Sequence, residues 1–248
     1  MDDGTLAARS AEQRSGFARF RNTLAYDALT RLPLVLWFAI SGSVMGQRLY
    51  DDAVAASVVD VKFVLDMAAR ASGIAFVLFV ILALSIRRPA IARSAGIVPR
   101  LVAFGGTFSI TALALFEPVP HSFSMAVASL VLMCTGYAFA CYSIVHLSRS
   151  LSMMAEARKL VMTGPYGLVR HPLYAAEAIA SVGLLLQYMS IAAVALWVVH
   201  IGLQLARIGY EEKILGQNFP EYQSYRRRVP RLIPRICGFR RRRPPIPI

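Results

Sequence analysis

Two short stretches of the chain carry the side chains that could do chemistry. In residues 163–174, aromatic and cationic residues alternate with two prolines: Tyr166, Arg170, His171 and Tyr174. Pro165 ends the preceding helix and Pro172 suits the first turn of the next one, so the turn between them should be stiff. A helix that begins at Pro172 would direct unpaired N–H groups toward the space that Arg170 faces. Such a turn suits a carboxylate or a phosphate.

The second stretch is a stripe of polar residues near the end of the last apolar run. Its members are spaced four, three and four apart, which places them on one helix face: His200, Gln204, Arg207 and Glu211. Polar groups at membrane depth are costly unless they face a partner or a cavity. Each also has a structural interpretation, because His200 and Gln204 can bridge helices and Arg207 can pair with Glu211 at i,i+4. Glu177 is either functional or a structural partner for Arg170.

The composition predicts an integral membrane protein. The chain has 248 residues, of which 56% are hydrophobic, and several uncharged runs approach the length of roughly 20 residues that spans a bilayer. Its mean hydropathy is +0.53. Cys134 and Cys141 share one apolar run and Cys237 lies in a basic tail, so we expect neither a disulfide framework nor a metal site. The first apolar run starts near Leu32 without a cleavage pattern, and we expect no signal peptide.

The apolar runs predict an all-α, polytopic fold with about six transmembrane helices. The first four spans are expected at Leu32–Leu49, Ala71–Ile86, Leu101–Phe116 and Ser124–Leu147. Residues 51–70, with four aspartates, are expected to connect the first two. Residues 172–207 are too long for one span and have a polar break near residues 187–190, which predicts a C-terminal helical hairpin.

The basic residues predict the orientation. With six spans and a cytoplasmic N-terminus, the cytoplasmic segments would hold 24 of the 27 Lys and Arg residues. Both termini should therefore be cytoplasmic. This distribution explains the net charge of +13 without nucleic acid. Residues 1–30 are expected to form a cytosolic or interfacial segment, and residues 237–248 a basic tail that attracts anionic lipid.

The order of several short motifs adds a resemblance. These motifs are Thr163-Gly164-Pro165-Tyr166, Arg170-His171-Pro172-Leu173-Tyr174, Glu177, Arg207, Glu211-Glu212, and Glu221-Tyr222 with Tyr225, Val229 and Pro234. In this order they resemble the isoprenylcysteine carboxyl methyltransferase family and its relatives among the phospholipid N-methyltransferases. The resemblance covers residues 146–234, about a third of the chain. The apolar runs place four transmembrane helices in residues 31–147, and the resemblance places a catalytic region in residues 148–236.

The resemblance implies an integral membrane methyltransferase that uses S-adenosylmethionine, held in a pocket at the cytosolic face. The residues that would contact this cofactor are Tyr166, Arg170, His171, Tyr174, Glu177 and Glu212. Arg207 would orient the methyl acceptor, and Glu211 or His171 would be the candidate base if the acceptor is an amine. The acceptor would be lipophilic and reach the site from the bilayer, as a prenylcysteine-type carboxylate or a phospholipid amine. Ala176 stands where relatives often carry glycine and could crowd the cofactor.

Two other functions fit parts of the sequence. A sterol-type membrane reductase that binds NADPH would share the Arg-His-Pro loop, although the Glu211-Glu212 pair fits it less well. A transporter or a non-enzymatic docking protein would predict charges at the membrane midplane and repeated halves. The polar residues instead cluster at one face, and the sequence shows no internal repeat.

Overall fold

A computed structural model of the chain describes residues 24–86, 92–93, 97–113, 116–147, 156–157 and 160–234. Most of the expected interfacial segment and the basic tail lie outside the described residues, as does most of the connection between residues 148 and 159. The expectations for those parts of the chain stay predictions.

The described part of the chain is helical, apart from two short strands and the connecting turns. Seven α-helices follow one another: α1 (Leu24–Ala55), α2 (Val61–Ser85), α3 (Val98–Leu113), α4 (Phe123–Leu147), α5 (Pro172–Gln187), α6 (Ile191–Asn218) and α7 (Tyr222–Arg228). A 3₁₀ turn at Gly164–Gly167 precedes α5. The strands β1 (Ala92–Arg93) and β2 (Glu156–Ala157) pair antiparallel and join the two connections that precede α3 and α5. The all-α prediction is confirmed.

Four of these helices are long and apolar enough to cross a membrane. They cover residues Leu32–Ala55, Val61–Ser85, Phe123–Leu147 and Ile191–Asn218. The helices α3 and α5 have 16 residues each, about 24 Å, which is less than the thickness of a typical bilayer core. The apolar runs therefore all form helices, but four rather than six have the length of a full span.

The helices α1 and α2 are longer than the sequence predicted. Residues 51–55 continue α1, and α2 begins at Val61 rather than Ala71. Some charges in this region are satisfied within α2: Asp60 caps the helix by accepting from the backbone N–H of Phe63, and Lys62 pairs with Asp66 at 3.0 Å. Arg70 instead pairs with Asp52 on α1. Counting these charges as a loop signal was therefore wrong.

The helices α5 and α6 are joined by the short turn that the sequence predicted. Ser190 caps α6 by accepting from the N–H of Ala193. However, α5 and α6 pack little against each other: α5 packs mainly against α4, and α6 mainly against α3. The hairpin is therefore open.

An apolar cavity lies among α1 to α6. Its walls are largely aliphatic and aromatic, with Phe38, Met45, Phe76, Val77, Val80, Ile110 and Leu184 among the lining side chains. One part is polar, where Thr107, Glu177, Gln204 and Arg207 reach it. The α1–α3 region, which shows no sequence resemblance, supplies much of the apolar wall.

Candidate functional site

The turn before α5 is rigid because two features fix its backbone. Gly164 has φ = +60°, a conformation that residues with a side chain adopt at a cost. Pro165 opens the 3₁₀ turn and Pro172 opens α5, as the sequence predicted. Both prolines are fully buried. Arg170 and His171 are therefore presented from a turn with little freedom.

We predict that Gly164→Ala destabilises this turn. A Cβ at Gly164 would overlap the ring of His146 at the end of α4, with the ring Nε2 only 2.5 Å away. The left-handed backbone alone costs about 1–2 kcal/mol for alanine, and the overlap adds to it. Thermal unfolding of the purified protein should show a lower midpoint. Gly167→Ala is the matched control, because a Cβ there meets only the Met162 carbonyl oxygen at an ordinary 3.5 Å.

The segment after α7 fastens this turn in place. The backbone N–H of Arg170 donates to the carbonyl of Pro230 at 2.8 Å, and that of His171 to the carbonyl of Arg231 at 3.1 Å. The hydroxyl of Tyr225 donates to the carbonyl of Tyr166 at 2.6 Å. The short helix α7 and the residues that follow it therefore cover the turn.

The carboxylate of Glu212 contacts two arginine side chains and one histidine side chain. Its Oε1 lies 3.2 Å from Nη2 of Arg170, 3.1 Å from Nε2 of His171 and 3.4 Å from Nε of Arg231. The side chains of Glu212 and Arg170 are each 10% exposed, whereas that of Arg231 is 42% exposed. The turn and the end of α6 therefore meet at one partly buried carboxylate. We call Glu212 together with Arg170, His171 and Arg231 the Glu212 cluster.

A second group of residues surrounds Glu211, which directly precedes Glu212 on α6. The hydroxyl of Tyr174 donates to Oε1 of Glu211. The same oxygen lies 3.5 Å from Nε of Arg207, and the Arg207 guanidinium stacks over the Tyr174 ring, 5.2 Å from its centroid. Nη1 of Arg207 also reaches Oγ1 of Thr107 on α3 at 3.5 Å. This Arg207 group borders the polar part of the cavity.

Glu177 joins the Arg207 side of the site. Its Oε2 accepts a hydrogen bond from Nε2 of Gln204 at 2.7 Å. The sequence had suggested Arg170 as a structural partner for Glu177, but Arg170 pairs with Glu212. Gln204 bridges α5 and α6, which matches its structural interpretation.

Two buried hydrogen-bonding groups near the Glu212 cluster have no partner within the described residues: Nε of Arg170 and the hydroxyl of Tyr222. Burial raises the pKa of Tyr222 to about 12, and the negative charge of Glu212 acts in the same direction. Burial also raises the pKa of Tyr166 and of Tyr225. All three phenols are therefore neutral at physiological pH, and that of Tyr222 can donate to an acceptor placed beside Arg170.

The eight predicted site residues are brought together, seven of them in two adjoining groups. Arg170, His171 and Glu212 form one, and Tyr174, Glu177, Arg207 and Glu211 the other. Tyr166 lies under α7. Sequence reasoning missed Thr107 and Arg231. Nothing in the sequence around Thr107 distinguishes it from other small polar residues of an apolar helix. Arg231 lies in an arginine-rich segment, where no local pattern sets one arginine apart from the others.

Comparison with known protein families identifies the region that holds this site. Residues 124–222, which include α4, α5, α6 and the start of α7, match the model of the phospholipid methyltransferase family. This region is similar to the phospholipid methyltransferase family. The resemblance noted in the sequence is confirmed, since this is the family of the isoprenylcysteine methyltransferase-like membrane enzymes. The matched region contains all eight predicted site residues.

Two curated relatives share part of this chain. The nickel-cobalt-cadmium resistance protein NccN of Alcaligenes xylosoxydans xylosoxydans is 40% identical over 86 residues, which are 34% of this chain and 40% of that protein. The cobalt-zinc-cadmium resistance protein CzcN of Cupriavidus metallidurans is 38% identical over 82 residues, 33% of this chain and 38% of that protein. The match therefore spans about two fifths of each relative. Within the described residues, no three His, Cys, Asp or Glu side chains are grouped so as to hold a metal ion.

Proposed function

We propose that the protein is an integral membrane methyltransferase that transfers the methyl group of S-adenosylmethionine to a lipophilic acceptor. The observation that carries this proposal is the position of Arg207. It lies between the polar groups of the methyltransferase domain and an apolar cavity within the helices. A soluble donor on one side and a lipid-borne acceptor on the other would meet at this residue.

The residues around Glu212 suit the cofactor. S-adenosylmethionine carries a carboxylate, an ammonium group, ribose hydroxyls and a sulfonium. The unpartnered Nε of Arg170 and hydroxyl of Tyr222 are donors that a carboxylate or hydroxyl can satisfy. Glu212 can accept a hydrogen bond from the ammonium group or the ribose if that group replaces the exposed Arg231 as its partner. When bound, the cofactor supplies an activated methyl group, so the protein chiefly has to align donor and acceptor.

Three aromatic residues would complete the cofactor site. Tyr166 and Tyr174 are buried beside the two acidic residues of α6, and an aromatic face attracts a sulfonium as it does other cations, by about 0.5–2 kcal/mol. His171 is held by Glu212 and lies edge-on to Tyr174, with 5.7 Å between the ring centroids. These residues would exclude water and fix the cofactor.

The acceptor would enter from the bilayer, with its apolar part in the cavity. Either a prenylcysteine-type carboxylate or a phospholipid amine would bring a polar head to Arg207. With a carboxylate, the guanidinium would orient the nucleophile. With an amine, a base must take up a proton, and Glu211 or Glu177 is within the same group of residues. By the distribution of basic residues, the cofactor side would face the cytoplasm.

A two-step experiment tests the proposal. Detergent-solubilised protein is titrated with S-adenosylhomocysteine and, separately, with NADPH. We expect saturable binding of S-adenosylhomocysteine only; binding of NADPH alone would favour the sterol-type reductase. Membranes that contain the protein are then incubated with radiolabelled S-adenosylmethionine, and label should appear in lipid-soluble product above a vector control.

The matched variant for this test is Arg207→Lys. It keeps the charge but loses the planar group that stacks on Tyr174 and contacts Thr107. We expect transfer to fall by at least about tenfold while binding of S-adenosylhomocysteine persists, since the residues of the Glu212 cluster are unchanged. Lys213→Arg, at a neighbouring exposed position of α6, should leave both measurements unchanged.

A further inference from the structure

Gln204 carries a hydrogen-bond acceptor that faces the cavity without a partner. The side chain is buried, with 8% exposed, and it lines the cavity. Its Nε2 lies 2.7 Å from Oε2 of Glu177. Because only the amide nitrogen can donate to a carboxylate, this bond fixes the orientation of the amide. Oε1 is then the free end, and it has no hydrogen-bond partner within the described residues.

The neighbouring helix α3 leaves space beside this oxygen and offers it no hydrogen-bond donor. Gly106 on α3 lies beside it and has no side chain; a Cβ there would be 3.3 Å from Oε1. The hydroxyl of Thr107, the next residue, donates to the carbonyl of Ala103 at 2.9 Å and therefore has no hydrogen left for Gln204. An unsatisfied buried acceptor costs about 1–3 kcal/mol. A ligand with a hydrogen-bond donor would remove that cost.

The charges in this part of the cavity favour the same kind of ligand. Two carboxylates, Glu177 and Glu211, accompany the single guanidinium of Arg207. That guanidinium already contacts Glu211, Thr107 and the ring of Tyr174. A carboxylate head would meet two like charges and a carbonyl oxygen, whereas an amine head would meet acceptors.

We propose that Gln204 selects an amine as the methyl acceptor. The head of a lipid-borne primary or secondary amine donates N–H bonds to Oε1 of Gln204 and to Glu177, and these bonds discriminate against a carboxylate. This inference rests on the proposed function. In the transfer step, the nitrogen lone pair forms the new C–N bond to the methyl carbon. The C–S bond breaks with its electron pair left on sulfur, and the extra N–H proton passes to Glu177.

Two probes with one tail test the selection. Full-length protein in nanodiscs is given labelled S-adenosylmethionine with either oleylamine or oleic acid, which differ only in their head. We expect kcat/KM for oleylamine to exceed that for oleic acid by at least about tenfold, the value of one hydrogen bond to a charged group. Preferential methylation of oleic acid, or methylation of neither probe by protein that binds S-adenosylhomocysteine, would overturn the selection of an amine.

Two variants assign the selection to Gln204. Gln204→Met removes the amide at nearly constant volume, and Gly106→Ala keeps the bond to Glu177 but crowds Oε1. For each we expect KM for oleylamine to rise, by about tenfold for Gln204→Met, with the affinity for S-adenosylhomocysteine unchanged. The controls are Leu205→Met, a half-exposed neighbour, and Gly202→Ala, whose Cβ would meet nothing within 4 Å. An unchanged KM in both test variants would refute the role of Gln204. If the wild-type protein did not bind S-adenosylhomocysteine at all, the proposed function itself would be refuted.

Discussion

Glu212→Gln should abolish methyl transfer while the protein remains folded within the membrane. The substitution keeps the size of the side chain but removes the charge that Arg170, His171 and Arg231 share. Removing one partner of a buried ion pair costs about 3–5 kcal/mol, because the other charge is left without compensation. Here that charge is the guanidinium of Arg170, whose side chain is 10% exposed. Binding of S-adenosylhomocysteine should therefore weaken by at least about 100-fold, as isothermal titration of the solubilised protein would measure.

Two further substitutions separate the role of Glu212 from a general effect of charge. Glu212→Asp keeps the carboxylate on a shorter side chain and should retain part of the binding. Glu221→Gln removes an exposed acid that precedes α7, and it should leave binding unchanged. If Glu212→Gln bound S-adenosylhomocysteine as tightly as the wild-type protein, the Glu212 cluster would be a structural fastening of the turn and not the cofactor site.

The sequence predicted most of the candidate site because its members follow short-range rules. The spacing from Gln204 to Glu211 placed three residues on one face of α6, and the structure turns that face toward the cavity and Tyr174. Pro165 and Pro172 fixed the ends of the helices around the turn. Periodicity and proline geometry act within a few residues, so they can be read without knowing the fold.

The parts that the sequence did not predict depend on contacts between distant helices. Thr107 reaches Arg207 across 100 positions of the chain, and no local pattern marks such a contact. The long ends of α1 and α2 were misjudged because their charges pair across helices: Arg70 on α2 pairs with Asp52 on α1. A charged segment is a loop signal only where its charges have no partner.

The same limit applies to the open hairpin. Two apolar helices joined by a three-residue turn are expected to pack on each other, but α5 prefers α4. The helices α4 and α5 pack closely because Gly136 and Gly183 have no side chains that would hold their backbones apart. A hydrogen bond from Oγ of Ser129 to the carbonyl of Gly183, at 2.8 Å, also joins them. Small residues that allow close approach are a main determinant of helix packing in membranes.

Gly136→Ala is therefore expected to cause a large loss of stability. A Cβ at this position would lie 2.6 Å from the backbone N of Ala180 and 2.8 Å from the carbonyl oxygen of Ala176. Backbone atoms cannot move aside as a flexible side chain can, so α5 must shift as a unit. Overpacking of this kind costs about 1–3 kcal/mol or more, and a drop of at least about 5 °C in the unfolding midpoint should follow.

The shift should also reduce activity, because α5 carries Tyr174 and Glu177 and the turn before it carries His171. A displacement of α5 relative to α6 would lengthen the hydrogen bonds from Tyr174 to Glu211 and from Gln204 to Glu177, and misplacement of about 1 Å can cost a factor of about 100 in rate. Gly46→Ala on α1 is the control, since a Cβ there meets nothing within 4 Å. A Gly136→Ala protein with the stability and activity of that control would show that the approach of α4 to α5 does not hold the site together.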